Sequence, residues 1–420
     1  MAFYIMLTSI GALLLLLSGM DGKSLLIRDA FFISTAAVCN AGLSTIEVCE
    51  LSFRSQIIIL FLTQIGALGI IAFSVVVFTI PGSRFSISRQ SSIQNYYLDG
   101  VEYNPRKIVR NILLFTFVIE SFGAVVLYFL FKLAGVPNTL FSAVFHSVSA
   151  FCNTGFSIFP NGISDFRTNN LVIFIFSVLI FLGGIGFIVM NDILLCLLRR
   201  KRKLSYHSKV ILGATAVIIV CGTIFFFFSE NDRAYKALNI KDSISNAMFQ
   251  SINTRSGGFE IIPQKDLHGS SKFVTCAFMF IGGAPGSIAG GIKLTVVFVL
   301  FFVIFKKPDT DGDINVFRRR ITRSTIHKVT VYLIKSIALL FIFILLLLIT
   351  ETDSANIIAF EVLSAFTTVG LSINSELSDT GKWLMMFAMF FGRIGLVTLA
   401  FPLVKSKSYT VTYPEGTLLL

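Results

Sequence analysis

Four short apolar stretches carry the residues best suited to chemistry in this chain. That chemistry is the coordination of a cation by backbone carbonyls. The clearest stretch is Leu140 to Phe156, LFSAVFHSVSAFCNTGF, which closes at Cys152-Asn153-Thr154-Gly155-Phe156. It makes about four helical turns, short of the roughly 20 apolar residues a spanning helix needs. It stands between two longer apolar runs. An apolar helix that stops at small and polar residues between two spans reads as a re-entrant segment. The design recurs as DAFFISTAAVCNAGL (Asp29 to Leu43), SISNAMFQSINTRSGGF (Ser243 to Phe259) and NIIAFEVLSAFTTVGL (Asn356 to Leu371). Each ends in Gly followed by Phe or Leu, and the glycines Gly42, Gly155, Gly258 and Gly370 are spaced by 113, 103 and 112 residues. Near-equal periods indicate one unit used four times.

Irregular backbone at membrane depth survives only where protein buries it or where it lines a watery path. Four such turns about one axis would point the carbonyls of Asn40, Ala41, Gly42, Asn153, Thr154, Gly155, Ser256, Gly257, Gly258, Thr368, Val369 and Gly370 inward. Carbonyl rings can replace the water shell of potassium, and the C-terminal ends of the four short helices add about −0.5 charge each. A single glycine of this kind reads as a helix C-cap; four equivalent ones, each between spans, point to an ion pathway. Asn153, Thr154, Thr367 and Thr368 are expected to bond the turn backbone. Arg255, three residues before Gly258, would repel a cation from the axis. It is therefore expected behind the turn, in an ion pair with Glu260 or Asp242.

The elements that must position these turns follow from composition. The chain has 420 residues, is 55% hydrophobic with a mean hydropathy of +0.82, and only 14% of it is charged, against about 25% in soluble domains. These values describe an all-α polytopic membrane protein. The N-terminal apolar run lacks a basic leader and reads as a first span. Eight spans, two per unit, divide the chain into pore units 1–80, 108–198, 210–305 and 325–404. Connections 81–107, 199–209 and 306–324 and a tail 405–420 complete it. With that topology 20 Lys and Arg fall on the side of the connections and tail and ten on the other, which places both termini in the cytoplasm and the re-entrant turns outside. The net charge of +12 is thereby explained without nucleic acid. Six scattered cysteines have no metal-like spacing and read as small packing residues.

Two further features stand out. The hydrophobic stretch Phe273 to Phe305 contains Gly282, Gly283, Pro285, Gly286, Gly290, Gly291 and Lys293. An interior Gly costs a helix up to about 1 kcal/mol and a Pro about 3, so a loop inside the membrane is expected at 282–293. Its glycines lack the Walker spacing of a phosphate loop. The second feature is Arg393 in the last span. A charge at mid-helix costs about 2.5–3.5 kcal/mol on insertion scales, so it should face the interior. There it either sets an electrostatic barrier or bridges to Glu120 or Asp192.

CNAGL, CNTGF, NTRSGGF and TTVGL, with the helices before them, resemble the four filter sequences of the Trk/Ktr/HKT superfamily of cation transporters. The similarity runs over nearly the whole chain and is greatest to Ktr-type membrane subunits. It implies four linked span–re-entrant pore helix–span units around one central pore, with potassium as the substrate. The GG-x-PG-x-x-GGIK stretch resembles the intramembrane gating loop of those subunits, and a basic residue at the place of Arg393 belongs to the same pattern. Lys293 would oppose cations in the closed state. The resemblance also implies a homodimer among membrane lipids in the bacterial cytoplasmic (inner) membrane. A separate cytosolic ring (KtrA-like) would bind the regulatory nucleotide. A sodium-permeable or weakly selective transporter of the same fold is the first rival. An alternating-access secondary transporter is the second; it predicts inverted repeats, whereas the four turns run in one direction. No paired carboxylates, metal-spaced histidines or nucleophile motif point to an enzyme.

Overall fold

The computed structural model describes residues 2–20, 25–79, 105–199, 201–317, 319–373 and 376–395. Most of connection 81–107, the end of the last span and the tail 405–420 lie outside them. The helices in chain order are α1 (Ala2–Ser18), α2 (Ile27–Val38), α3 (Phe53–Thr79), α4 (Pro105–Leu133), α5 (Thr139–Phe151), α6 (Asn170–Gly184), α7 (Phe187–Leu197) and α8 (Tyr206–Glu230). They continue as α9 (Ile240–Asn253), α10 (Gly269–Phe280), α11 (Leu294–Phe305), α12 (Arg323–Thr350), α13 (Ala355–Thr367) and α14 (Asp379–Phe390), which runs into a π-helical turn, Phe391–Gly395.

Helices Arg110–Leu133, Tyr206–Glu230 and Arg323–Thr350 are long and apolar enough to cross a membrane, and α6 with α7 qualifies as a broken span. Side-chain caps begin several of these helices. Asn169, Ser205, Thr322 and Ser378 accept from backbone N–H groups three residues on, satisfying donors that the first turn leaves free.

The short helices α2, α5, α9 and α13 lie at the four stretches read from the sequence as re-entrant. Three of them are buried along most of their length and α9 along half of it. Each packs against one or both of the helices that flank it in sequence and against the helix that follows the preceding short helix around the ring: α5 on α3, α9 on α6, α13 on α10, and α2 on α14. The last contact joins the chain's first unit to its last. It carries two ion pairs, Arg28–Asp379 and Lys382–Asp29, the second at 2.7 Å with both groups largely buried. One phenylalanine on each short helix is buried at the matching turn: Phe32, Phe145, Phe249 and Phe360.

Two expectations need correction. Span four is not continuous: α6 and α7 meet at a 105° bend. Gly186, at φ +85°, sits at the break, where a Cβ would lie 2.8 Å from the Pro285 carbonyl oxygen. Nor is the chain wholly helical. Connection 306–324 forms a small antiparallel hairpin of β1 (Ile314–Val316) and β2 (Arg319–Ile321), tied to Asp313 through Arg320 and the Arg323 N–H.

Candidate functional site

The four glycine turns meet. A Cβ on Gly42 would lie 1.7 Å from the Thr154 carbonyl oxygen, and one on Gly155 would lie 2.7 Å from Cα of Gly258. One on Gly258 would lie 2.2 Å from the Val369 oxygen, and one on Gly370 would lie 2.5 Å from the Ala41 oxygen. The contacts therefore close on themselves in the order of the units. All four glycines have positive φ, from +70° to +95°, a region other residues enter at a cost of roughly 1–2 kcal/mol. Conformation and crowding both require glycine here.

Each turn is set by how its short helix ends. In α2 the N–H of Asn40 bonds the Ala37 oxygen and that of Ala41 the Ala36 oxygen; Asn153/Thr154 and Thr368/Val369 repeat the pattern after α5 and α13. This is the Schellman closure, with Asn40, Asn153 and Thr368 in the left-handed region near φ +52°. Asn adopts that region readily, while β-branched Thr is an outlier there. The third turn departs from the others. It is one residue shorter between Phe249 and Gly258 and has no left-handed residue before its glycine. The Asn253 carboxamide compensates, donating to the Phe259 oxygen at 2.6 Å and accepting from the Phe259 N–H at 2.9 Å.

The side chains expected to hold the turns are used differently. Thr367 donates to Leu363 within its own helix. Asn153, with its amide oriented to satisfy its neighbours, donates to the oxygens of Ala150 and Ile180 and accepts from the Gly184 N–H. Thr154 accepts from Nδ2 of Asn40 at 2.9 Å, which links the first two turns. Ser149, Asn253 and Ser364 bond the turns directly: Ser149 donates to the Phe156 oxygen at 2.8 Å, and Ser364 accepts from the Gly370 N–H at 3.1 Å. Their position five or six residues before the glycine was the available sequence signal. Glu361 accepts from the Ser372 hydroxyl and the Ile373 N–H behind the fourth turn. Cys39 and Cys152 are wholly buried at the ends of α2 and α5.

The expected break in the sixth stretch is present: α10 stops at Phe280, α11 starts at Leu294, and 281–293 is irregular. The loop touches the ring. A Cβ on Gly290 would lie 2.0 Å from Oγ1 of Thr368 and 2.3 Å from the Thr367 oxygen. The loop also mends the broken span. The N–H groups of Ala284 and Ile288 bond the Gly184 and Gly183 oxygens, and the Phe187 N–H bonds the Gly286 oxygen. The backbone groups freed by the α6–α7 bend and by the loop thus satisfy one another, as the bilayer interior demands.

The two arginines buried among the described residues, Arg255 and Arg393, hold this loop, which corrects the ion pair expected for Arg255 and leaves the alternative bridge of Arg393 unformed. Arg255 donates to the Gly282 oxygen at 3.1 Å instead of pairing with Glu260 or Asp242; Asp242 takes Nδ2 of Asn170. Arg393 donates to the Ile288 oxygen and, at 3.0 Å, to Oδ1 of Asn40. The carboxylates of the alternative bridge are engaged elsewhere: Glu120 accepts from Gln64 at 3.0 Å and Asp192 pairs with Lys201. Lys293 is tied to its own loop through the Ala289 oxygen at 2.8 Å.

The TrkH family model, described as a cation transport protein, matches residues 1–409. The Ktr system potassium uptake protein B of Vibrio alginolyticus is 32% identical over 97% of this chain and 91% of its own length. The potassium/sodium uptake protein NtpJ of Enterococcus hirae is also 32% identical, over 100% of this chain and 95% of its own. The crystal structure of the potassium transporter TrkH from Vibrio parahaemolyticus shares the fold at a TM-score of 0.78, with 21% identity, covering 96% of this chain and 83% of that one.

Proposed function

The chain belongs to the TrkH family of cation transport proteins, which are not enzymes, and from that premise we propose that it carries potassium across the cytoplasmic membrane into the cell. The ion passes through the ring of four turns, where the carbonyls of residues 40–42, 153–155, 256–258 and 368–370 replace its hydration shell. The observation that carries this reading is the closed order of contacts from Gly42 to Gly155, Gly258, Gly370 and back to Gly42. Each unit supplies one turn and one short helix whose C-terminal end faces the ring, so partial negative charge gathers where a cation would rest.

The loop 282–293 acts as the gate. Gly290 abuts the fourth turn, and Arg393 and Arg255 hold the loop at Ile288 and Gly282. In this closed arrangement Arg393 also brings positive charge below the ring. Movement of the loop is coupled to the α6–α7 bend, because the two share their backbone hydrogen bonds. The charge bias places the connections and both termini in the cytoplasm. The relatives named as parts of a Ktr system support assembly with a second component. The expected form is a homodimer on a cytosolic nucleotide-binding ring.

A second reading, a sodium-permeable or weakly selective transporter, is favoured by the unequal third turn and by the relative named for potassium and sodium. One experiment separates the two. Purified protein in liposomes is tested for radioactive rubidium uptake with potassium or sodium as competitor. Potassium competing far better than sodium supports the first reading, and equal competition supports the second. No uptake from liposomes that retain folded protein refutes both.

A further inference from the structure

Each of the four turns is tied to the loop 282–293, and the four ties are unalike. In the third turn Arg255 donates to the Gly282 oxygen at 3.1 Å. In the second, Asn153 accepts from the Gly184 N–H at 3.2 Å, and the Gly184 oxygen accepts from the Ala284 N–H at 3.0 Å. In the fourth, Oγ1 of Thr368 crowds Gly290. The first turn is reached through Arg393, which bonds the Ile288 oxygen and Oδ1 of Asn40. Among the described residues, only this tie runs on to a second turn. Asn40 is 1% exposed, and its Nδ2 donates to Oγ1 of Thr154 at 2.9 Å and to the Thr63 oxygen on α3 at 3.1 Å. Its carboxamide thus uses both donors and the acceptor. One line of hydrogen bonds, Ile288–Arg393–Asn40–Thr154, passes through all four units. Asn153, the counterpart of Asn40 in the second turn, directs its donors to Ala150 and Ile180 of its own unit.

We propose that the side chain of Asn40 makes the preference of the ring for potassium over sodium depend on the position of the loop. The inference rests on the reading given above, in which the ring selects and the loop gates, and adds the residue through which the second acts on the first. A ring of carbonyls discriminates between ions through its size and the field of its dipoles, so it discriminates only as far as its geometry is held. Asn40 holds Thr154, whose own carbonyl oxygen abuts Gly42. Withdrawal of the loop takes the Ile288 oxygen from Arg393. The guanidinium is a rigid planar fork, so when it reorients, the Asn40 oxygen it also holds turns with it. The Asn40 amide then leaves Thr154, and the seam between the first and second turns loosens. The open path is the faster and the less selective one.

The residue type fits this task. Position 40 lies at φ +52°, where glycine, asparagine and aspartate are the residues most at ease. Glycine would leave both Arg393 and Thr154 without a partner. Aspartate offers acceptors to Arg393 but no donor to Thr154. Asparagine alone combines the left-handed conformation with a donor on one side and an acceptor on the other. Coupling of this kind is reciprocal: what loosens the ring at Thr154 also weakens the hold of Arg393 on the loop.

The full chain in liposomes tests this through rubidium uptake, read as a rate and as the ratio of sodium to potassium concentrations that halve it. Arg393→Gln cuts the line at its loop end. Thr154→Val cuts it at its ring end, removing a hydroxyl at nearly constant shape. Each should lower the ratio about two- to tenfold, the range of one neutral hydrogen bond, and each should raise the rate. The double variant is diagnostic. Two cuts in one line leave its ratio within about twofold of the lower single variant, whereas separate structural effects multiply. Multiplied losses overturn the inference, as does Arg393→Gln with a raised rate and an unchanged ratio. Should the double variant fail to fold, Thr154→Val decides: an unchanged rate there overturns the inference, because reciprocity requires a cut at the ring to reach the loop. Absence of rubidium uptake by the unmodified protein would remove the transport reading and this inference with it, a result distinguishable from either of those.

Discussion

Arg393→Gln is the substitution whose effect the structure fixes most closely. Arg393 is 5% exposed and holds two partners on different elements, the Ile288 oxygen of the loop and the Asn40 side chain beneath the first turn. Glutamine is shorter and neutral, so it cannot reach both. A hydrogen bond to a charged group contributes about 1.5–3 kcal/mol. If the bond to Ile288 exists only while the loop is in place, its loss favours the open arrangement by about 10- to 150-fold. Rubidium flux should rise toward that limit wherever the closed state dominates. Arg393→Lys tells whether the tether or the charge matters. Lysine keeps the charge but has one compact head instead of a fork. A tether predicts raised flux in both variants, whereas a pure electrostatic barrier predicts it in the glutamine variant alone. Unaltered flux in both, at equal amounts of folded protein, would refute both accounts of Arg393.

Three other outcomes follow from the same geometry. Gly290→Ala places a methyl 2.0 Å from Oγ1 of Thr368 and 2.3 Å from a backbone oxygen, so the loop must withdraw. Raised rubidium flux is expected, and wild-type flux would show that this contact does not close the path. Gly155→Ser drives a side chain into the backbone of Gly258, within 2.8 Å of three of its atoms. Competition assays should show reduced preference for potassium over sodium, and intact preference would count against the ring as the selecting element. Asp29→Asn leaves Lys382 without its buried partner and should cost about 3–5 kcal/mol, against less than about 1 kcal/mol for Asp379→Asn at the exposed pair. Thermal unfolding in detergent measures both, and equal shifts would contradict this ranking of the seam between the first and last units.

The legible parts of this protein are those written in local composition. Gly42, Gly155, Gly258 and Gly370 announce themselves because only glycine tolerates that combination of φ and crowding, so the residue type marks the geometry. The loop at 282–293 is legible because five glycines and a proline have too little helix propensity to be overridden. The same reasoning applied to Gly183-Gly184-Ile185-Gly186 would have found the bend in span four. Three glycines without a proline do not by themselves break a span, and whether such a run bends depends on what satisfies the backbone it frees.

Tertiary structure alone decided the partners. Arg255 was expected beside a carboxylate, and a carboxylate bridge was one of two readings of Arg393, because charge complementarity is visible in a sequence. They bond backbone carbonyls instead, and a carbonyl is carried by every residue, so nothing in the chain marks Gly282 or Ile288 as an acceptor. The Asp29–Lys382 pair joins groups 353 residues apart, and the fold brings them together only by setting α2 against α14. The sequence by itself determined the fourfold repeat, the membrane class and the places where helix must stop. Which stopped ends meet, and which buried charge holds which loop, depends on distances that exist only once the four units have packed.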